Sequence, residues 1–118
     1  MKNENVLYEK SYLFAIRIVR LNQYLANNKK EYILSKQVLR SGTSIGALVR
    51  ESKYAQSTPD FINKLSIALK EANETHYWVS LLKDTDYLEQ KMFESLEKDI
   101  NELLKLLTAI IKTLKNKQ

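Results

Sequence analysis

Apolar residues in this 118-residue chain recur at alternating spacings of three and four, in four blocks separated by short polar breaks. That spacing puts the apolar side chains of each block on one stripe of an α-helix. No stretch alternates with a period of two, so no strand is expected. Two glycines and one proline leave little material for hairpin turns. Such a chain is restricted to helices that bury one face against each other.

The first helix is expected over about residues 5–27, with Leu7, Ser11, Phe14, Ile18, Leu21 and Leu25 facing inward. The second, about 36–56, follows Ser35 as a candidate N-cap and carries two adjacent stripes. Val38, Ser41, Ile45, Leu48 and Ser52 form one; Leu39, Gly42, Gly46 and Val49 form the other. The third, 59–84, follows the break Ser57-Thr58-Pro59-Asp60. There Thr58 suits an N-cap, Pro59 the first helical position, and Asp60 the positive end of the helix dipole. Its stripe is Phe61, Leu65, Ala68, Ala72, Thr75, Val79 and Leu82. The fourth, 89–115, carries Phe93, Leu96, Ile100, Leu103, Leu107, Ile110 and Leu114. Helices of similar length on short loops pack antiparallel to their neighbours. The expected fold is all-α: one antiparallel up-down-up-down four-helix bundle spanning 1–118, with Phe14, Ile18, Ile45, Leu65, Leu103 and Leu107 in its core.

The same sequence argues against catalysis. With no cysteine there is no disulfide, thiolate zinc site or cysteine nucleophile. Glu71, Glu74 and the lone His76 invite comparison with bundle metal sites. However, Glu74 and His76 are two apart and point to different sides, and such sites need a second histidine. Gly42 and Gly46 lie inside a helical pattern, so no phosphate loop exists. The chain is expected to be no enzyme and to hold no metal or cofactor. The first ten residues are charged, and no apolar run approaches the length that spans a bilayer, so a cytoplasmic protein without a membrane partner is expected.

Two features remain open to a functional reading. The net charge is +5, but residues 1–57 carry +6 and residues 58–118 carry −1. Lys10, Arg17 and Arg20 share a face of the first helix, near Tyr24. Lys36, Arg40 and Arg50 share a face of the second, near Tyr54. Such rows either track the phosphates of RNA or DNA or form a solvated face with local ion pairs. Glycine inside a helix costs about 1 kcal/mol relative to alanine, so the pair Gly42 and Gly46 needs an offsetting close approach. With Leu39 and Val49 beside them, that approach is either packing within the bundle or a contact between subunits.

The run from Ser35 through Arg40-Ser41-Gly42-Thr43-Ser44-Ile45-Gly46 to Ala47 resembles the signature of the 23S rRNA intervening-sequence proteins, a bacterial family of four-helix bundles. Tyr54-Ala55-Gln56-Ser57, the stretch Phe61 to Thr75 and the ending Leu107 to Leu114 are similar to theirs as well. The resemblance covers nearly the whole chain. It extends to the accessory variability protein of diversity-generating retroelements, a pentameric relative that binds nucleic acid and associates with a reverse transcriptase. By resemblance, then, a homo-oligomer is implied, five copies being the expected number, with RNA or DNA and a reverse transcriptase or other protein as partners. Two positions depart from the family: Leu48 where asparagine is frequent, and Asp86 where glycine often closes the third helix. Aspartate tolerates the left-handed backbone better than most residues.

Overall fold

The computed structural model describes residues 2–117. Its helices are α1 (Lys2–Lys29), α2 (Leu34–Ser52), α3 (Thr58–Asp84) and α4 (Gln90–Asn116). Each packs on its neighbours in the chain, and α1 also packs on α4, which closes the ring of a four-helix bundle. The body measures 47 × 22 × 19 Å. A 28-residue helix is about 42 Å long, so α1 runs nearly its full length.

The inward stripes are those of the sequence pattern, with small shifts. On α1 the buried residues are Leu7, Ser11, Phe14, Ile18, Leu21 and Leu25. At the start of α3 the buried residue is Ile62, and Phe61 is only half-buried. Near the end of α4 it is Ile111 that is buried beside Ile110, with Leu114 half-buried. On α2 the two expected stripes merge. Val38, Ser41, Gly42, Ile45, Val49 and Ser52 are buried, while Leu39 and Leu48 pack at the edge of the core. Leu48 therefore makes an apolar contact at the edge of the core. The buried hydroxyls are satisfied locally: Ser11 donates to the Tyr8 carbonyl and Ser52 to the Val49 carbonyl. Thr75 donates to the Glu71 carbonyl, and its hydroxyl bonds that of Ser41 at 2.9 Å across the α2–α3 seam.

Helix ends depart most from expectation. Ser35 is not the N-cap of α2; it is buried inside the first turn and donates its hydroxyl proton to the Glu31 carbonyl. Ile33 occupies the cap position, and the buried Glu31 carboxylate accepts from the amides of Ile33, Leu34 and Ser35. A carboxylate brings two acceptor oxygens and a full negative charge to the positive end of the helix, more than a hydroxyl can. The α3 cap is Ser57 rather than Thr58: its hydroxyl accepts from the Asp60 amide at 3.2 Å, while Asp60 accepts from the Gln56 amide. Pro59 still falls in the first turn, where the missing N–H has no helical partner to lose.

At the other end of α3, Asp86 adopts φ 69°. The Tyr87 amide bonds the Leu82 carbonyl at 2.8 Å and the Asp86 amide bonds the Lys83 carbonyl at 3.1 Å. These two bonds define a Schellman motif with aspartate at the position glycine usually holds.

The α1–α2 seam is a close approach that depends on both glycines. A methyl group at Gly42 would lie 2.7 and 2.9 Å from the γ carbons of Ile18, which is fully buried and β-branched, so stiff at χ1. At Gly46 it would lie 3.0 Å from the Ser11 carbonyl oxygen, part of the α1 backbone itself. The partner of both glycines is thus a helix of the same chain.

Two outcomes follow for stability. Gly46→Ala gains about 1 kcal/mol of helix propensity but forces α1 outward, an overpacking loss of about 1–3 kcal/mol. Its denaturation midpoint should fall, and Gly42→Ala should behave alike; a rise in either would show that the helices do not meet there. Asp86→Gly removes both left-handed strain and a negative charge at the negative end of α3, and should stabilise by about 0.5–1 kcal/mol, or about 2–5 °C in Tm. An unchanged or lower Tm would contradict the left-handed turn.

Candidate nucleic-acid interface

Three of the six basic side chains singled out in the sequence are already occupied. The row on α1 does share a face, but that face looks toward α4. Lys10 Nζ lies 2.8 Å from Glu102, and Arg17 lies 2.7 Å from Asp99 while also donating to the Ser95 carbonyl. The hydrogen bond to Glu102 raises the Lys10 pKa above its ordinary value, with desolvation acting against the rise and neighbouring acids adding to it. On α2, Arg40 pairs with Glu74 of α3 at 2.6 Å. Arg20, Lys36 and Arg50 stay exposed and pair with no carboxylate among the described residues. Arg20 reaches only the Gln23 amide oxygen, at 3.4 Å.

An ion pair also joins α2 to α3 through Glu51 and Lys64, and a 2.8 Å hydrogen bond between His76 and Glu97 joins α3 to α4. Among the described residues the α1–α2 seam has no ion pair. With the two backbones so close, the cations at its rim lie over aromatic rings instead. Arg50 sits 5.4 Å above the centre of the Tyr12 ring and Lys53 4.2 Å above that of Tyr8. Sequence reasoning paired Tyr54 with Arg50 and passed over Tyr8, Tyr12 and Lys53. The available signal was spacing: Tyr8 and Tyr12 are one turn apart on α1, beside the core stripe, as are Arg50 and Lys53 at the end of α2.

These four side chains, with Ala15, Thr43, Gly46, Ala47 and Val49, line a hollow of about 450 Å³. A second hollow of about 630 Å³ adjoins it, sharing Tyr8 and Lys53 and reaching Tyr54, Phe61, Leu114 and Glu4. It exists because α2 stops at Ser52, four residues short of the expected Gln56, and the chain turns through Lys53, Tyr54 and Ala55 on i→i−3 bonds. Tyr8 is held within this region. Burial raises its phenol pKa above the ordinary value, Glu4 adds to the rise, and a hydrogen bond with Ser52 acts against it.

No group of acidic or histidine side chains among the described residues can hold a metal ion. Glu74 is taken by Arg40 and Trp78, His76 bonds Glu97 at 2.8 Å, and Glu71 keeps one buried carboxylate oxygen without a partner. The outer face of α1 is unusually apolar: Leu13, Ile16 and Val19 are 51%, 40% and 40% exposed. No helix among the described residues is long and apolar enough to cross a membrane.

A family model described as 23S rRNA-intervening sequence protein matches residues 3–109. Among solved structures, the chain is similar to a protein of unknown function from the S23 ribosomal protein family of Bacteroides thetaiotaomicron VPI-5482. The two are 56% identical over 93% of this chain and 98% of the other, with a TM-score of 0.92. No curated protein matches.

Proposed function

The chain belongs to the 23S rRNA-intervening sequence protein family, and on that premise we propose that it is a non-enzymatic, cytoplasmic, self-associating bundle that binds RNA or DNA through α1 and α2. The observation that carries this reading is the residue of positive charge left after the ion pairs are counted. Arg20, Lys36 and Arg50 on α1 and α2, with Lys53 just past the end of α2, have no carboxylate within ion-pair distance among the described residues, and they belong to the half of the chain that carries +6 against −1 for the other. Cations already solvated, and not engaged with the protein's own acids, exchange water for phosphate at little cost and release the counterions of the nucleic acid. Self-association is supported by Leu13, Ile16 and Val19, which form a stripe of exposed apolar surface opposite the buried face of α1. Five copies is the number that resemblance to the pentameric relative implies. A repeated basic surface then raises avidity by letting several weak contacts act on one strand.

The same apolar stripe also favours a second reading, a protein-interaction scaffold whose charges only keep it dissolved. Salt-dependent binding separates the two. Changing Arg20, Lys36 and Arg50 to Gln should flatten the log–log salt dependence by about 2 for single strands and just under about 3 for duplex DNA. The same change at Lys10, Arg17 and Arg40 should flatten it less, because those cations are already neutralised. Wild-type protein that binds neither RNA nor DNA at low salt would leave the scaffold reading in place. For assembly, light scattering should find an oligomer at micromolar concentration, and Leu13→Glu with Ile16→Glu should give monomers of unchanged helicity. A monomeric wild type would remove self-association.

A further inference from the structure

We infer that the α1–α2 groove takes a nucleobase with its attached phosphate, as unpaired RNA or DNA presents it, with Tyr12 as the stacking surface and Arg50 and Lys53 as the phosphate-binding cations. The inference rests on the nucleic-acid reading above and narrows it from any phosphate backbone to single strands.

The groove is roomy because its floor is made of small residues. Gly46, Ala15 and Ala47 leave a hollow of about 450 Å³ directly over the closest approach of the two helices, a volume within the roughly 300–1,000 Å³ of small-molecule sites. Its two tyrosines differ in a way that suits a platform beside a fixed wall. Tyr8 is half-buried and covered by Lys53 at 4.2 Å. Tyr12 is 54% exposed and is not packed against the core. Arg50 stands 5.4 Å from that ring, near the roughly 6 Å limit of a cation–π contact, which is weak at an exposed site. A phosphate offers Arg50 a stronger, charge-assisted partner, and the ring keeps a face for a base.

The charges fit the same occupant. Arg50 and Lys53 have no carboxylate partner among the described residues, and nearby Glu51 is engaged by Lys64 at 3.0 Å. The acidic side chain that does line this region is Glu4, in the adjoining hollow, where it favours seating phosphate toward Arg50. That hollow also holds Tyr54, 81% exposed on the turn after α2, in a position to receive a following base. A duplex cannot use these rings, because its bases are already stacked on each other; it can meet only the cations.

The test is fluorescence anisotropy with a labelled uridine oligonucleotide of about ten nucleotides, within the usual range of single-strand site sizes, and a duplex of equal length at the same salt. The single strand should bind more tightly than the duplex. Tyr12→Leu should weaken single-strand binding by about 5- to 150-fold, the range for losing one stacked base, and leave duplex binding unchanged. Tyr12→Phe, which keeps the ring, should restore it. Circular dichroism should match wild type in both variants, since Tyr12 lies outside the core. If wild type binds RNA with a normal salt slope but Tyr12→Leu binds single strands equally well, the groove inference falls and the basic-face reading stands. If wild type binds no nucleic acid, both fall. Free uridine monophosphate competing as well as the oligonucleotide would assign the groove to a mononucleotide and overturn the strand.

Discussion

The close approach of α1 and α2 at Gly42 and Gly46 is the contact on which the rest of this bundle's surface depends. Each glycine gives up about 1 kcal/mol of helix propensity. The return is room for α1: the space a β carbon would need is taken at Gly46 by the Ser11 carbonyl and at Gly42 by the fully buried Ile18 side chain. With the helices so near, long side chains cannot face one another across the seam and move to its rim. That is why Arg50 and Lys53 lie over Tyr12 and Tyr8, and why the groove between them has an open floor.

The other three seams are built differently. Lys10 and Arg17 meet Glu102 and Asp99, Arg40 meets Glu74, Lys64 meets Glu51, and His76 meets Glu97. These pairs are substantially exposed, and pairs of that kind contribute little to stability. Their larger effect is on the surface field. Acids of α3 and α4 pair with Lys10, Arg17 and Arg40 of the first two helices, while Arg20, Lys36 and Arg50 are among the cations that no ion pair occupies among the described residues. A potential of this kind acts on partners and association rates rather than on the fold.

Much of the architecture was legible in the chain because heptad-like spacing specifies a side chain's direction on its own helix. The α1 stripe is buried residue for residue, and those of α3 and α4 differ only near their ends. The errors fall where local chemistry has rival solutions. Ser35 and Glu31 both offer an oxygen to the start of α2, and the carboxylate reaches three amides. No residue between Lys53 and Gln56 forbids a helix, yet the chain must reverse before Ser57 can cap α3, so α2 ends early. Asp86 was legible for the opposite reason: its left-handed turn is a local event, recorded in the residues that make it.

By itself the sequence determined the number of helices, their inward faces, the all-α class and the excess of charge on the first half of the chain. It also marked Gly42 and Gly46 as a place where something must come near. Only the tertiary structure decided that the neighbour is α1 of the same chain, and which cations are spent. Periodicity assigns each residue an angle on its own helix but is silent on the helix it will face. Lys10 and Glu102 are 92 residues apart, and nothing in the local pattern of either distinguishes Lys10, which pairs with a carboxylate, from Lys53, which lies over the Tyr8 ring. Electrostatic partners are set by the packing of the bundle, so the candidate site became visible only once the helices were in place.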